Sequence, residues 1–202
     1  GGASVKDAEG FANVGKILQK FSDQKIVVVV SAMGKTTNAL EEVVKSYYLQ
    51  DGKTAQLLSD IKTNHFTLIN HLFPVSAEVM DDINDTMVEI EWVLEEPPHE
   101  DYDYTYDQIV SIGELLSSKI LVHYLKYLNI DCGWLDVRDV ILTDNTYRDA
   151  RVQWDATQRN AKSKIEPLLN KVNHVVTQGF IGSTSENFTT TLGREGSDYT
   201  AA

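Results

Sequence analysis

Apolar residues along this chain repeat at two spacings, and the switch between them lays out an alternating architecture. Phe11, Val14, Ile17 or Leu18, and Phe21 fall on one face of a helix. Lys25 to Ser31 encloses the run Ile-Val-Val-Val-Val, which has no alternation and predicts a strand buried on both sides, as in parallel sheets. A Gly-containing turn over 32–36 leads into helical spacing from Asn38 to Leu49, with Thr36 or Thr37 as N-cap. Two longer amphipathic helices follow, carried by Leu57 through Phe73 and by Val79 through Leu94. Pro97-Pro98 closes the second, an acidic Tyr-rich loop runs to about Asp107, and a third helix spans about 108–128. Alternation then resumes. Short strands are expected at 131–137 and 140–142, a helix at 154–170 with Pro167 as a candidate kink, and a buried strand at 174–181. A short strand at 189–192 and a Gly-rich turn at 193–198 open a last helix. The pattern predicts an α/β fold, a three-layer α/β/α sandwich on a mostly parallel sheet, with a helical insert over 50–128.

Composition sharpens this picture only once the charge is located. The 202 residues carry a net charge of −12. Residues 63–118 hold 13 acids and no Lys or Arg, so the remainder, with 18 basic and 17 acidic groups, is nearly neutral. The acidity therefore belongs to the insert, where it reads as the solvated faces of amphipathic helices, and does not exclude anionic ligands elsewhere. His65, His71 and His99 lie there without metal-ligand spacing, and Trp92, Tyr102, Tyr104 and Tyr106 read as packing or loop anchors. The single Cys132 excludes a disulfide framework and fits a reducing, cytoplasmic setting. No apolar run approaches the ~20 residues of a membrane helix.

In parallel sheets, ligands gather at the carboxyl ends of strands, where glycine turns and helix N-termini meet. Gly1 to Ser4, Ser31 to Asn38 and Thr190 to Asp198 fit that position. Each alone is also explained as a turn with no ligand. Gly34-Lys35-Thr36 is not a P-loop, because Val29 occupies the place of its first glycine, and Gly-x-Gly-x-x-Gly is absent.

The combination is more specific than its parts. Gly-Gly-Ala-Ser-Val, then Ser31-Ala-Met-Gly-Lys-Thr-Thr-Asn38, Ser111-Ile-Gly-Glu114-Leu-Leu-Ser117, Asp136-Val-Arg138, Gly179-Phe-Ile-Gly182 and Thr-Thr-Thr-Leu-Gly-Arg-Glu-Gly-Ser-Asp-Tyr-Thr-Ala-Ala occur in that order. This series resembles aspartokinase, of the amino-acid kinase fold, along essentially the whole chain, and its wording is most similar to the monofunctional lysine-sensitive type. The resemblance implies phosphorylation of the β-carboxylate of L-aspartate by ATP with Mg2+, the first step towards Lys, Thr and Met. It implies no nucleic-acid or membrane partner, and a homo-oligomer for the full-length protein.

By the same resemblance, Arg194 grips the substrate α-carboxylate, for which a planar bidentate fork is suited. Glu114 receives the substrate ammonium, although periodicity by itself would place it on an exposed helix face. Ser31, Thr37 and Ser197 complete the aspartate pocket. Gly1, Gly2 and Ser4 match the phosphate-binding turn, and Asp198 matches the acid that orients a phosphate-contacting lysine. No protein ligand for a metal is implied. Two departures stand out. The family's Lys-Phe-Gly-Gly-Thr-Ser would place its lysine before Gly1, with Ala3 here in place of threonine, and Glu195 replaces a frequent glycine. The adenine-binding segment and regulatory ACT domains would lie beyond Ala202, so residues 1–202 are expected to form a partial catalytic domain, inactive alone. A competing reading is a non-catalytic amino-acid-binding or assembly domain of the same fold, and another is a different carboxylate kinase.

Overall fold

The Val-rich run becomes β1 (Ile26–Val30), which pairs in parallel with β3 (His174–Gln178), and β3 pairs in parallel with β2 (Cys132–Trp134). The register sets Ile26 and Cys132 opposite His174, so the three strands start together; β1 and β3 end together at Val30 and Gln178, while β2 stops at Trp134 opposite Val176. The computed structural model describes residues 1–193 and 196–202. A separate antiparallel pair, β4 (Ile181–Ser183) and β5 (Thr189–Thr191), continues from the end of β3.

Among the described residues, eight α-helices surround these strands: α1 (Ala8–Lys20), α2 (Thr36–Leu49), α3 (Thr54–Leu72), α4 (Ala77–Glu95), α5 (Tyr102–Val110), α6 (Ile112–Tyr127), α7 (Trp154–Leu169) and α8 (Gly196–Ala201). The described residues thus form the predicted layered α/β fold with its helical insert, and several local readings are corrected. Leu18, not Ile17, joins Phe11 in the core, and Ile17 and Phe21 are exposed. Helix α2 starts at Thr36 with Lys35 as N-cap and no side-chain cap, so neither threonine caps it. The acidic loop after Pro98 ends at Asp101, and from Tyr102 the chain is instead helical: Asp101 caps α5 by accepting from the Asp103 and Tyr104 amides, a local signal that outweighs the low helix propensity of its tyrosines. The expected strands at 131–137 and 140–142 shrink to β2, a 3-10 turn at Val137–Asp139 and an isolated bridge from Leu142 to Ser183. Trp92 is 65% exposed and anchors nothing.

Helix α6 explains much of the packing. Twelve of its residues are buried, because it runs between the sheet and the other helices of the insert and has almost no solvent face. Leu116, Ile120 and Leu121 are fully buried there, each contributing about 1.5–3 kcal/mol. Asp82 of α4 clasps this helix by accepting from Lys119 at 2.6 Å and bonding His123 at 2.9 Å.

The opposite sheet face is covered less completely. No residue of α7 is fully buried, and Val27 remains 36% exposed, so β1 is not buried on both sides as its composition suggests. Val27 and Val29 look into an apolar cleft bounded by Ile165 of α7 and Tyr199 of α8. Val30, by contrast, belongs to the main core.

Candidate functional site

The site is built where β1 and β3 end. β1 gives way to Ser31, whose carbonyl accepts from Ser117 Oγ of α6 at 2.8 Å. Gly113 lets α6 come this close, since a Cβ there would sit 3.0 Å from that of Ala32. Gly179, following β3, does the same for α8: a Cβ would lie 2.7 Å from Ser197 Cβ and 2.8 Å from its Cα. Phe180 then turns the chain with φ 70°, a left-handed conformation that costs a non-glycine residue about 1–2 kcal/mol.

These approaches enclose a cleft of about 350 Å³ lined by Ser31, Thr37, Glu114, Phe180, Gly193, Gly196, Ser197 and Asp198. Five residues chosen from sequence, on four separate segments, therefore meet in one place. Ser31 Oγ donates to Ser197 Oγ at 2.9 Å, joining the end of β1 to the first turn of α8. Thr37 is half-buried and Asp198 is exposed at the rim. Arg194 and Glu195 lie outside the described residues. Gly1, Gly2 and Ser4 are not among the residues lining the cleft. They form a 3-10 turn beside it, tied by the Gly34 amide to the Gly2 carbonyl at 3.1 Å, and a Cβ on Gly2 would lie 2.6 Å from the Ala32 carbonyl oxygen.

Glu114 is the chemical centre of the cleft. It is 3% exposed, which overturns the exposed-face reading from periodicity. The helix has no polar face at this point, so the carboxyl is held between α6 and the turn after β1. Oε1 accepts from the Ala32 amide at 3.1 Å, and Oε2 has no partner among the described residues. Burial pushes its pKa up to about 8, with the Ala32 hydrogen bond opposing. A buried carboxyl with one vacant oxygen, bordering a cleft with hydroxyls, is suited to a small cationic group such as an ammonium.

Three residues went unassigned in the sequence. Phe180 walls the cleft, Ser117 holds the Ser31 carbonyl, and Asp107 is fully buried against β5. The positive φ of Phe180 has no local signature, but the Ser117 spacing, one turn after Glu114 and on the same face, was available in the sequence. Among the described residues, no three or more His, Cys, Asp or Glu gather as a metal site, and no helix is long and apolar enough to cross a membrane.

Comparison with known proteins bears on the family and the fold. A profile of the amino acid kinase family matches residues 1–202. Lysine-sensitive aspartokinase 3 of Escherichia coli is 32% identical over 203 residues, covering 100% of this chain and 44% of its own length. The aspartokinase of Chlamydia trachomatis is likewise 32% identical, with 43% of its length covered. The crystal structure of E. coli aspartokinase III in complex with aspartate and ADP superposes with a TM-score of 0.89 at 30% identity, over 99% of this chain and 44% of that one. The chain thus spans less than half the length of these relatives. Matched along its whole length by the family profile, and folded in the same way as its solved relatives, the chain belongs to the amino acid kinase family.

Proposed function

We propose that the protein is an aspartokinase, and that this chain supplies its amino-acid pocket. The observation that carries the reading is Glu114: a buried carboxyl with a vacant oxygen at the edge of a hydroxyl-lined cleft. L-Aspartate would place its ammonium on Glu114, with Ser31, Thr37 and Ser197 as hydroxyl partners. Arg194, three residues after Thr191 in sequence, would take the α-carboxylate. Relatives named as aspartokinases over the whole chain support this substrate.

In the reaction, an oxygen of the substrate β-carboxylate attacks the γ-phosphorus of ATP, and the bond from phosphorus to the bridging oxygen of ADP breaks. The carboxylate is already ionised at neutral pH, so no general base is assigned. The protein's task is to align two anions and offset their repulsion. Gly1, Gly2 and Ser4, on the turn beside the cleft, are proposed for the phosphates, and Asp198 for orienting a phosphate-contacting lysine. Magnesium, bound mostly by the nucleotide phosphates, would need few protein ligands.

The test is acyl-phosphate trapping. Full-length protein with ATP, L-aspartate and hydroxylamine should give aspartyl hydroxamate. Arg194→Lys, which keeps the charge but loses the fork, should lower kcat/KM for aspartate by about 100-fold while preserving the fold. Hydroxamate formed with other carboxylates but not with aspartate would reject the assignment.

A further inference from the structure

Asp107 has no place in that account, yet it is among the most constrained side chains in the molecule. It is fully buried in α5, and its carboxyl accepts three hydrogen bonds from two distant segments. Oδ2 accepts from the Thr191 amide at 2.8 Å and from the Arg148 amide at 2.9 Å, and Oδ1 accepts from Thr191 Oγ1 at 2.7 Å. Its neighbour Gln108 holds the same strand, accepting from the Thr189 amide at 3.2 Å and donating to the Thr189 carbonyl at 2.8 Å. Two consecutive side chains of a helix thereby bond the backbone edge of β5, on the side away from β4, in the way a third strand would.

The geometry ties this contact to the amino-acid cleft from both ends. Along the chain, α5 passes at Ser111 directly into α6, whose first turn carries Glu114. On the strand side, Thr191 is followed by Leu192, whose amide bonds the Phe180 carbonyl at 2.8 Å, and by Gly193 of the cleft wall. The Thr191 carbonyl accepts from the Ala150 amide at 3.0 Å, so both backbone polar groups of Thr191 are held on the same edge. Gly193, at φ 74°, holds a left-handed conformation that disfavours a side chain, and its Cβ position faces Asp149 Oδ1 at 2.8 Å. Arg148, also left-handed at φ 66°, sends its guanidinium away from Asp107, over the Tyr106 ring and to Asp103. What faces the Asp107 carboxyl is thus a set of uncharged donors in fixed positions.

We infer that Asp107 is a positioning residue that sets the separation between Glu114 and the turn after β5, and so tunes affinity for the amino-acid substrate. It touches no substrate. It links α5, which leads directly into the helix carrying the ammonium acceptor, to the strand leading to the proposed carboxylate-binding turn. The inference rests on the aspartokinase reading of the cleft.

Steady-state kinetics of the full-length protein test it, with L-aspartate and ATP varied separately for Asp107→Asn, Thr191→Val and Glu114→Gln. Asp107→Asn presents an amide where only acceptors fit, and should raise KM for aspartate about tenfold while KM for ATP stays within about twofold. Thr191→Val loses the hydroxyl bond and keeps the amide bond, and should raise KM for aspartate about threefold. A purely structural role would lower the melting temperature and the active fraction without moving KM. If Asp107→Asn does not fold, Thr191→Val decides alone. Aspartate KM values within about twofold of the parent in every folded variant of the pair, beside a disabled Glu114→Gln, overturn the inference alone. A normal aspartate KM in Glu114→Gln overturns the reading of the cleft and this inference with it.

Discussion

Glu114 is a carboxyl that the fold holds at a cost until a cation arrives. Its vacant oxygen and its pKa of about 8 have a single cause, removal from water beside one backbone donor. Glu114→Gln keeps the shape and removes the charge. It should bind L-aspartate about 10- to 100-fold more weakly by calorimetry, the loss expected for a hydrogen bond to a charged group. Thermal melts at pH 8.5 should show the same variant no less stable than the parent. The sequence left this residue open between an exposed helix acid and a buried ligand. A neighbourhood of Ile112, Leu115 and Leu116 is compatible with either until it is known that α6 packs on both sides.

At the scale of elements, the cleft depends on glycines that let backbones meet. Gly179 stands between the end of β3 and the first turn of α8, where a methyl group would press on Ser197 main chain as well as its side chain. Gly179→Ala should therefore cost about 1–3 kcal/mol in urea unfolding. Because α8 is short, it should shift instead of the sheet, breaking the Ser31–Ser197 bond, so aspartate affinity should fall too. Unchanged stability together with unchanged affinity would show that α8 is not held as described. Strands and helices with strong periodicity were legible at this scale, as β1, α3 and α4 show. Helix α5 was not. Its apolar positions are sparse, and its stability comes from the Asp101 cap and from the side-chain bonds of Asp107 and Gln108 to β5, which are long-range contacts.

For the molecule as a whole, pH dependence reports how deeply the site is buried. Glu114 and Asp107 both have folded pKa values raised by desolvation, to about 8 and about 7. Each binds its proton more tightly when folded. Their contribution is complete below the unfolded carboxyl pKa and is lost as pH rises through about 7 and then about 8. Between pH 5 and 7, each group adds a slope of about −1.4 kcal/mol per pH unit to unfolding stability. Asp82 has the opposite sign: Lys119 and His123 hold its pKa low despite burial, and that stability is lost only in acid, below the ordinary carboxylate pKa. Urea unfolding of the ligand-free protein should therefore show stability falling from pH 6 to pH 9, with a shallower fall in Glu114→Gln. A flat profile in both proteins would contradict the burial of these carboxyls.

The sequence by itself determined the alternation of strand and helix, the acidic helical insert, the three turns that could hold ligands, and the family resemblance. These follow from local periodicity, glycine placement and motif order, which a chain carries before it folds. Tertiary structure decided which motifs meet: Ser31, Thr37, Glu114, Ser197 and Asp198 share a cleft, while Gly1, Gly2 and Ser4 form a neighbouring turn. It also decided that Glu114 is buried, that β1 is covered less well at Val27 than at Val30, and that Asp107 holds β5. The reason is physical. Burial and hydrogen-bond partnership are properties of pairs of segments far apart in the chain, and each depends on a close approach that no single stretch of sequence contains.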